Sequence, residues 1–133
     1  MSKRSSGLIC DEMDNRWQVY GAPAVATTMV ASVSAPQSAT SKHFLDCLSY
    51  TIKSTAAATH SVTTSVRDAS VAGTVLMSFD DMIPAGTSVN RHFSELRLPA
   101  TEGKAILFTT DTVLAGVKAT LNAFGWTNQQ TDY

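Results

Sequence analysis

The stretch VTTSVRDASVAGTVLMSFDDMIPAGTSVNRHFSELRLPATEGKAILFTTDTVLAGVKATLNAFGW, residues 62–126, decides the fold class. Val62, Thr64 and Val66 interleave with Thr63, Ser65 and Arg67; Val75, Met77 and Phe79 interleave with Leu76, Ser78 and Asp80. Val117, Ala119, Leu121 and Ala123 interleave with Lys118, Thr120 and Asn122. A period of two puts successive side chains on opposite faces of an extended backbone, so each run has one face to bury and one to solvate. Asp68-Ala69-Ser70, Pro84-Ala85-Gly86 and Thr101-Glu102-Gly103 punctuate the runs as turns, the first with an Asp able to bond its own backbone. Short strands at such spacing predict an all-β fold, an antiparallel β-sandwich of jelly-roll-like type.

Working outward, His43–Lys53 reads as a strand with Phe44, Leu48, Tyr50 and Ile52 on one face and Leu45, Cys47, Ser49 and Thr51 on the other. Asp46 falls on the apolar face, which places it at a bulge, a sheet rim or a partner surface. Residues 24–35 supply a strand with Met29, Ala31 and Val33 together. Thr74–Phe79 is expected to stop at Asp80-Asp81, and Ser88–Leu98 to form one strand or, given Glu95, to include a helical turn. Residues 1–20 read as an extended N-terminal arm and 21–133 as a single sandwich domain. Trp17–Tyr20 admits a second reading, as a first edge strand closing over the core.

A chain of 133 residues is long enough for one self-sufficient core. Its formal net charge of −1, with 16% charged residues, offers no overall attraction to polyanions, and the ten basic residues look scattered. Nucleic-acid binding is therefore not expected. Membrane spanning is not expected either, because the most apolar stretch, residues 21–35, is interrupted by Pro23, Thr27, Thr28 and Ser32. The opening MSKRSSGLICDEMD has no apolar run of signal-peptide length. Cys47 reads as a small buried hydrophobe, and a bridge to Cys10 is the alternative.

Chemistry-bearing patterns are sparse. His43, His60 and His92 have no metal-ligand spacing, and the carboxylates Asp68, Asp80, Asp81, Glu95, Glu102 and Asp111 fall at expected strand ends, where solvation and local capping explain them. No nucleophile elbow or phosphate loop occurs. The expectation is a non-enzymatic protein without metal or cofactor.

The runs Val66-Arg67-Asp68-Ala69-Ser70-Val71-Ala72-Gly73-Thr74-Val75-Leu76, Ile83-Pro84-Ala85-Gly86-Thr87-Ser88-Val89 and Leu121-Asn122-Ala123-Phe124-Gly125-Trp126 carry a resemblance. Over residues 43–126 the chain resembles small tailed-bacteriophage virion proteins of the head decoration, or cement, type. The resemblance implies a structural protein on the capsid surface of a virion, bridging copies of the major capsid protein as a homo-oligomer, dimer or trimer. Trp17, Tyr20, Phe124 and Trp126 are then the expected partner contacts. The alternative from the residues themselves is a carbohydrate-binding sandwich, with an aromatic platform drawn from Tyr50, Phe93, Phe124 and Trp126; another phage structural part, of a head fibre or the tail, is the near relative of what the resemblance implies.

Overall fold

The computed structural model describes residues 15–70, 72–112 and 115–128, and every strand in it is antiparallel. In chain order the strands are β1 (Arg16–Gly21), β2 (Met29–Val33), β3 (His43–Ser54), β4 (His60–Asp68), β5 (Val75–Ile83), β6 (Ser88–Phe93), β7 (Leu98–Pro99), β8 (Ile106–Thr110) and β9 (Val117–Thr127). One sheet has the order β1-β9-β3-β6, with β7 added beside β3, and the other has the order β2-β8-β4-β5. The pairs β1–β9, β2–β8, β3–β6 and β4–β5 nest inside one another, while β3–β9 and β4–β8 join the halves. This is the strand order of a jelly roll, two sheets packed face to face.

Alternation builds the core as expected. Val62, Thr64 and Val66 of β4, Ile106 and Phe108 of β8, and Val117, Ala119, Leu121 and Ala123 of β9 all point between the sheets and are buried. Met29 and Ala31 close one end. Burial of each large aliphatic side chain here stabilises the fold by about 1.5–3 kcal/mol.

Three expectations are corrected, and one open alternative is decided. A bulge between Leu45 and Cys47 inserts Asp46 as an extra residue in β3, so Leu45 turns inward with Leu48, Tyr50 and Ile52 and Phe44 turns outward, the reverse of simple alternation. Strand β5 does not end at Asp80-Asp81 but runs through both. Asp80 faces out, where the Thr63 hydroxyl donates to it at 2.6 Å. Residues 88–98 are two strands, not one, because Glu95 and Arg97 take left-handed backbone conformations between β6 and β7. Trp17–Tyr20 take the edge-strand reading: with Arg16 and Gly21 they pair with β9 as β1; the expected arm through Asp14, with Cys10, lies outside the described residues. Cys47 is a free, half-buried thiol.

Asp81 is the residue that sequence patterning places least well. It faces inward with 2% of its surface exposed. The Tyr50 hydroxyl donates to its Oδ2 at 2.6 Å, and Arg91 donates to Oδ1 through Nε at 2.9 Å and a terminal nitrogen at 2.6 Å. Tyr50 and Arg91 are direct partners across β3 and β6, so one carboxylate on the second sheet is gripped by two strands of the first. Burial, and then the bond to Asp81, push the Tyr50 phenol well above its ordinary value. Asp68 makes a second polar tie: its carboxylate accepts from the Thr101 backbone N–H at 3.1 Å and from the Thr101 hydroxyl, rather than from its own turn.

His43 is buried at the start of β3. Its Nε2 lies 2.7 Å from the Ser34 carbonyl, which can only accept, so Nε2 carries the proton and Nδ1 accepts from the Thr127 hydroxyl at 2.7 Å. Desolvation lowers its pKa below the ordinary 6.5, against the raising effect of the Ser34 bond.

Both polar sites have measurable consequences for stability. Tyr50→Phe keeps the ring but removes a hydrogen bond to a buried charge, and should cost about 1.5–3 kcal/mol in urea unfolding. The unfolded chain protonates His43 near pH 6.5 while the folded chain resists. The His43 contribution is therefore fully present above pH 6.5 and is lost as pH falls from there toward the folded pKa. Unfolding free energies measured between pH 7.5 and 5 should decline, and His43→Gln should flatten that part of the decline.

Candidate functional site

The outer face of the five-stranded sheet collects residues in rows set by strand register. One row runs Tyr20, Asn122, Ser49, His92 across β1, β9, β3 and β6; the next runs Thr120, Thr51, Asn90 across β9, β3 and β6. The Thr51 hydroxyl donates to Asn90 Oδ1 at 2.6 Å, and Gln18 Nε2 donates to Asn122 Oδ1 at 3.3 Å. The two rows, with Arg91 whose guanidinium is held by Asp81, line a shallow depression of about 360 Å³ that includes Tyr20, 64% exposed. Hydroxyl, amide and imidazole groups of this kind both donate and accept, and none carries an obligatory charge.

Toward the other end of β9 the face becomes aromatic. Phe44 and Trp126 are cross-strand partners whose rings stack at 5.0 Å between centroids, 5° from parallel. The Lys42 ammonium lies 5.7 Å from the Phe44 centroid. Phe124, 42% exposed, stands one row away. Phe124 and Trp126 line a groove of about 380 Å³ together with Gly125, Arg16, Asp46 and Arg97.

Local sequence chemistry explains how the groove is held. Gly125 is required because a Cβ there would collide with the Phe44 carbonyl oxygen and with the Trp17 ring. Trp17, opposite Gly125 in β1, thus packs its indole inward, edge-on to His43 at 5.9 Å and tilted against Phe108 at 6.3 Å. The bulged Asp46 accepts the Leu96 backbone N–H on its carbonyl at 2.9 Å. That bond anchors the turn in which Glu95 (φ 55°) and Arg97 (φ 49°) are left-handed, at a cost of order 1–3 kcal/mol each.

The structure therefore divides the sequence-derived candidates. Tyr20, Phe124 and Trp126 share the outer face of one sheet. Trp17 does not join them, because its indole packs inward against His43 and Phe108. Tyr50 and Phe93 also point inward, Tyr50 onto Asp81 and Phe93 onto Phe79 with ring centroids 4.5 Å apart, so neither belongs to an aromatic platform. Arg16, Arg97 and Phe44 carry no signal in the sequence: the bulge hides Phe44 from an alternation count, and nothing local connects Arg16 to Arg97. His43, His60 and His92 lie on different elements, and among the described residues no group of three or more His, Cys, Asp or Glu side chains is placed to hold a metal.

The sequence matches no family model and no curated protein. Among solved structures it is similar to a CBM4 structure at 7% identity, covering 84% of this chain and 71% of that one, with a TM-score of 0.43. It is similar to a glycoside hydrolase family 43 arabinoxylan arabinofuranohydrolase from Bacillus subtilis at 14% identity, covering 85% of this chain and 21% of that one, TM-score 0.43. It is also similar to the enzymatically active domain of bacteriophage CBA120 tailspike protein 4 at 13% identity, covering 88% of this chain and 20% of that one, TM-score 0.33. The chain thus spans about a fifth of the hydrolase and of the tailspike domain. Likenesses this distant carry no functional weight.

The aromatic end should behave as two separable parts. Phe124→Ala removes an exposed ring and should change stability by no more than about 0.5 kcal/mol. Trp126→Ala loses its stack on Phe44 and should cost about 1 kcal/mol or more in urea unfolding.

Proposed function

We propose that this chain is a non-catalytic carbohydrate-binding sandwich and that the outer face of the five-stranded sheet is its binding surface. One observation carries the reading: strand register places an aromatic end, Phe124 and Trp126, in line with neutral rows built from Tyr20, Asn122, Ser49, His92, Thr51, Asn90 and Thr120. Sugars present that same pair of chemistries, apolar C–H faces that pack on aromatic rings and hydroxyls that need both donors and acceptors. A buried protein–protein interface selects differently, with an apolar core and polar groups at the rim. Rows along a strand recur about every 6.6–6.8 Å, so successive rows can address successive parts of an extended chain of sugars.

The jelly roll itself is common to capsid and lectin domains. Decoration of a bacteriophage head by a dimer or trimer on the major capsid protein thus rests on resemblance alone, and we place it second to the reading supported by the face.

The test is retention of the isolated protein on a glycan array and in affinity gels of soluble polysaccharides. Binding to at least one class is expected. Tyr20→Ala and Phe124→Ala, both of exposed residues, should each weaken binding about tenfold, equivalent to about 1.4 kcal/mol, without lowering the melting temperature. Absence of binding across neutral and acidic glycans alike would overturn the proposal.

A further inference from the structure

The same face gathers cations that look scattered in the sequence. Arg16, Lys42, Lys53, Arg97 and Lys118 all lie on or beside it, whereas the opposite sheet turns Asp80 outward and carries Arg67 together with the exposed Asp111 just beyond β8. Among the described residues the one side-chain ion pair within 4 Å is Arg91 with Asp81, so none of these five cations is in an ion pair with a described carboxylate. The net charge of −1 does not register this gathering of cations.

Lys53 and Lys118 are direct cross-strand partners. Both point outward, and with Thr51 and Thr120 they line a depression of about 180 Å³. Like charges directly opposite in a sheet destabilise it, and no described carboxylate is in an ion pair with either lysine. Arg16 and Arg97 line the aromatic groove at the far end. Trp126, in the same row as Arg16, and Lys118 are eight residues apart along β9, roughly 26 Å at about 3.3 Å per residue. The neutral rows fill the interval.

We infer that the ligand of this face is an acidic polysaccharide, its carboxylate or sulfate groups seated on the Lys53–Lys118 pair at one end and on Arg16 and Arg97 at the other. The inference rests on the carbohydrate-binding reading above and adds the charge of the ligand. Spaced cation clusters separated by neutral hydroxyls and amides suit a polymer whose anionic groups are interspersed with uncharged sugar surface. Nucleic acid, with a phosphate on each nucleotide, would instead call for a continuous basic track, and Asp46 in the aromatic groove opposes one.

Binding of the full chain should be compared on polygalacturonate, its fully methyl-esterified form, heparin and double-stranded DNA. At least one acidic glycan should bind tenfold or more tightly than the neutral ester, with affinity falling as salt is raised. Polygalacturonate against heparin separates carboxylate from sulfate recognition. Lys53→Gln combined with Lys118→Gln should weaken acidic-glycan binding about tenfold, leave any binding to the neutral ester unchanged, and hold or raise the melting temperature because a repulsive pair is gone. Equal binding of the ester and the acid overturns this inference and leaves the carbohydrate reading standing. Tighter binding to DNA than to any glycan overturns the inference, and failure of every glycan, the ester included, overturns both.

Discussion

The carboxylate of Asp81, gripped between the sheets by Tyr50 and Arg91, is the interaction around which the sandwich is arranged. A charge this deeply buried is costly unless its oxygens are satisfied. Here Oδ1 receives two bonds from the guanidinium and Oδ2 one from the phenol. The three residues lie on β5, β3 and β6, so the bond geometry sets how one sheet sits over the other at that end. Arg91 keeps half of its side chain in water, which limits its desolvation. The rings of Phe79 and Phe93 stack beside the clamp, and Phe79 lies against the Tyr50 ring.

At the other end of the five-stranded sheet a backbone irregularity plays the deciding part. By inserting Asp46, the bulge in β3 exchanges the two faces of the strand ahead of it. Leu45 becomes core, and Phe44 becomes the partner on which Trp126 stacks. The bulge also presents the carbonyl that anchors the turn bearing Arg97. The aromatic groove and its positive rim therefore share one origin, a single extra residue in one strand.

Much of the candidate face is legible in the amino-acid sequence. The outward set Lys118, Thr120, Asn122 of β9 follows from alternation, and Phe124 and Trp126 continue it. Alternation does not tell which residues of other strands stand beside them. Lys53 lies 65 positions before Lys118 in the chain, yet register places the two side by side. The apparent scatter of basic residues has the same cause: charge segregation between faces is a property of strand order.

The sequence by itself determined the fold class and most strand faces, because burying one side of an extended chain demands a period of two and Gly, Pro, Asp and Asn mark where extension stops. It determined too that the surface would be polar and weakly charged. Tertiary structure alone decided the inward turn of Trp17, the exchange of faces at Asp46, the burial of Asp81 and the meeting of Lys53 with Lys118. Each depends on a partner distant in the chain: an indole lying over Gly125, a turn docked on a bulge, a phenol and guanidinium from another sheet, a lysine on another strand. Local periodicity carries no record of such partners, since pairing between strands is fixed by the packing of the whole core.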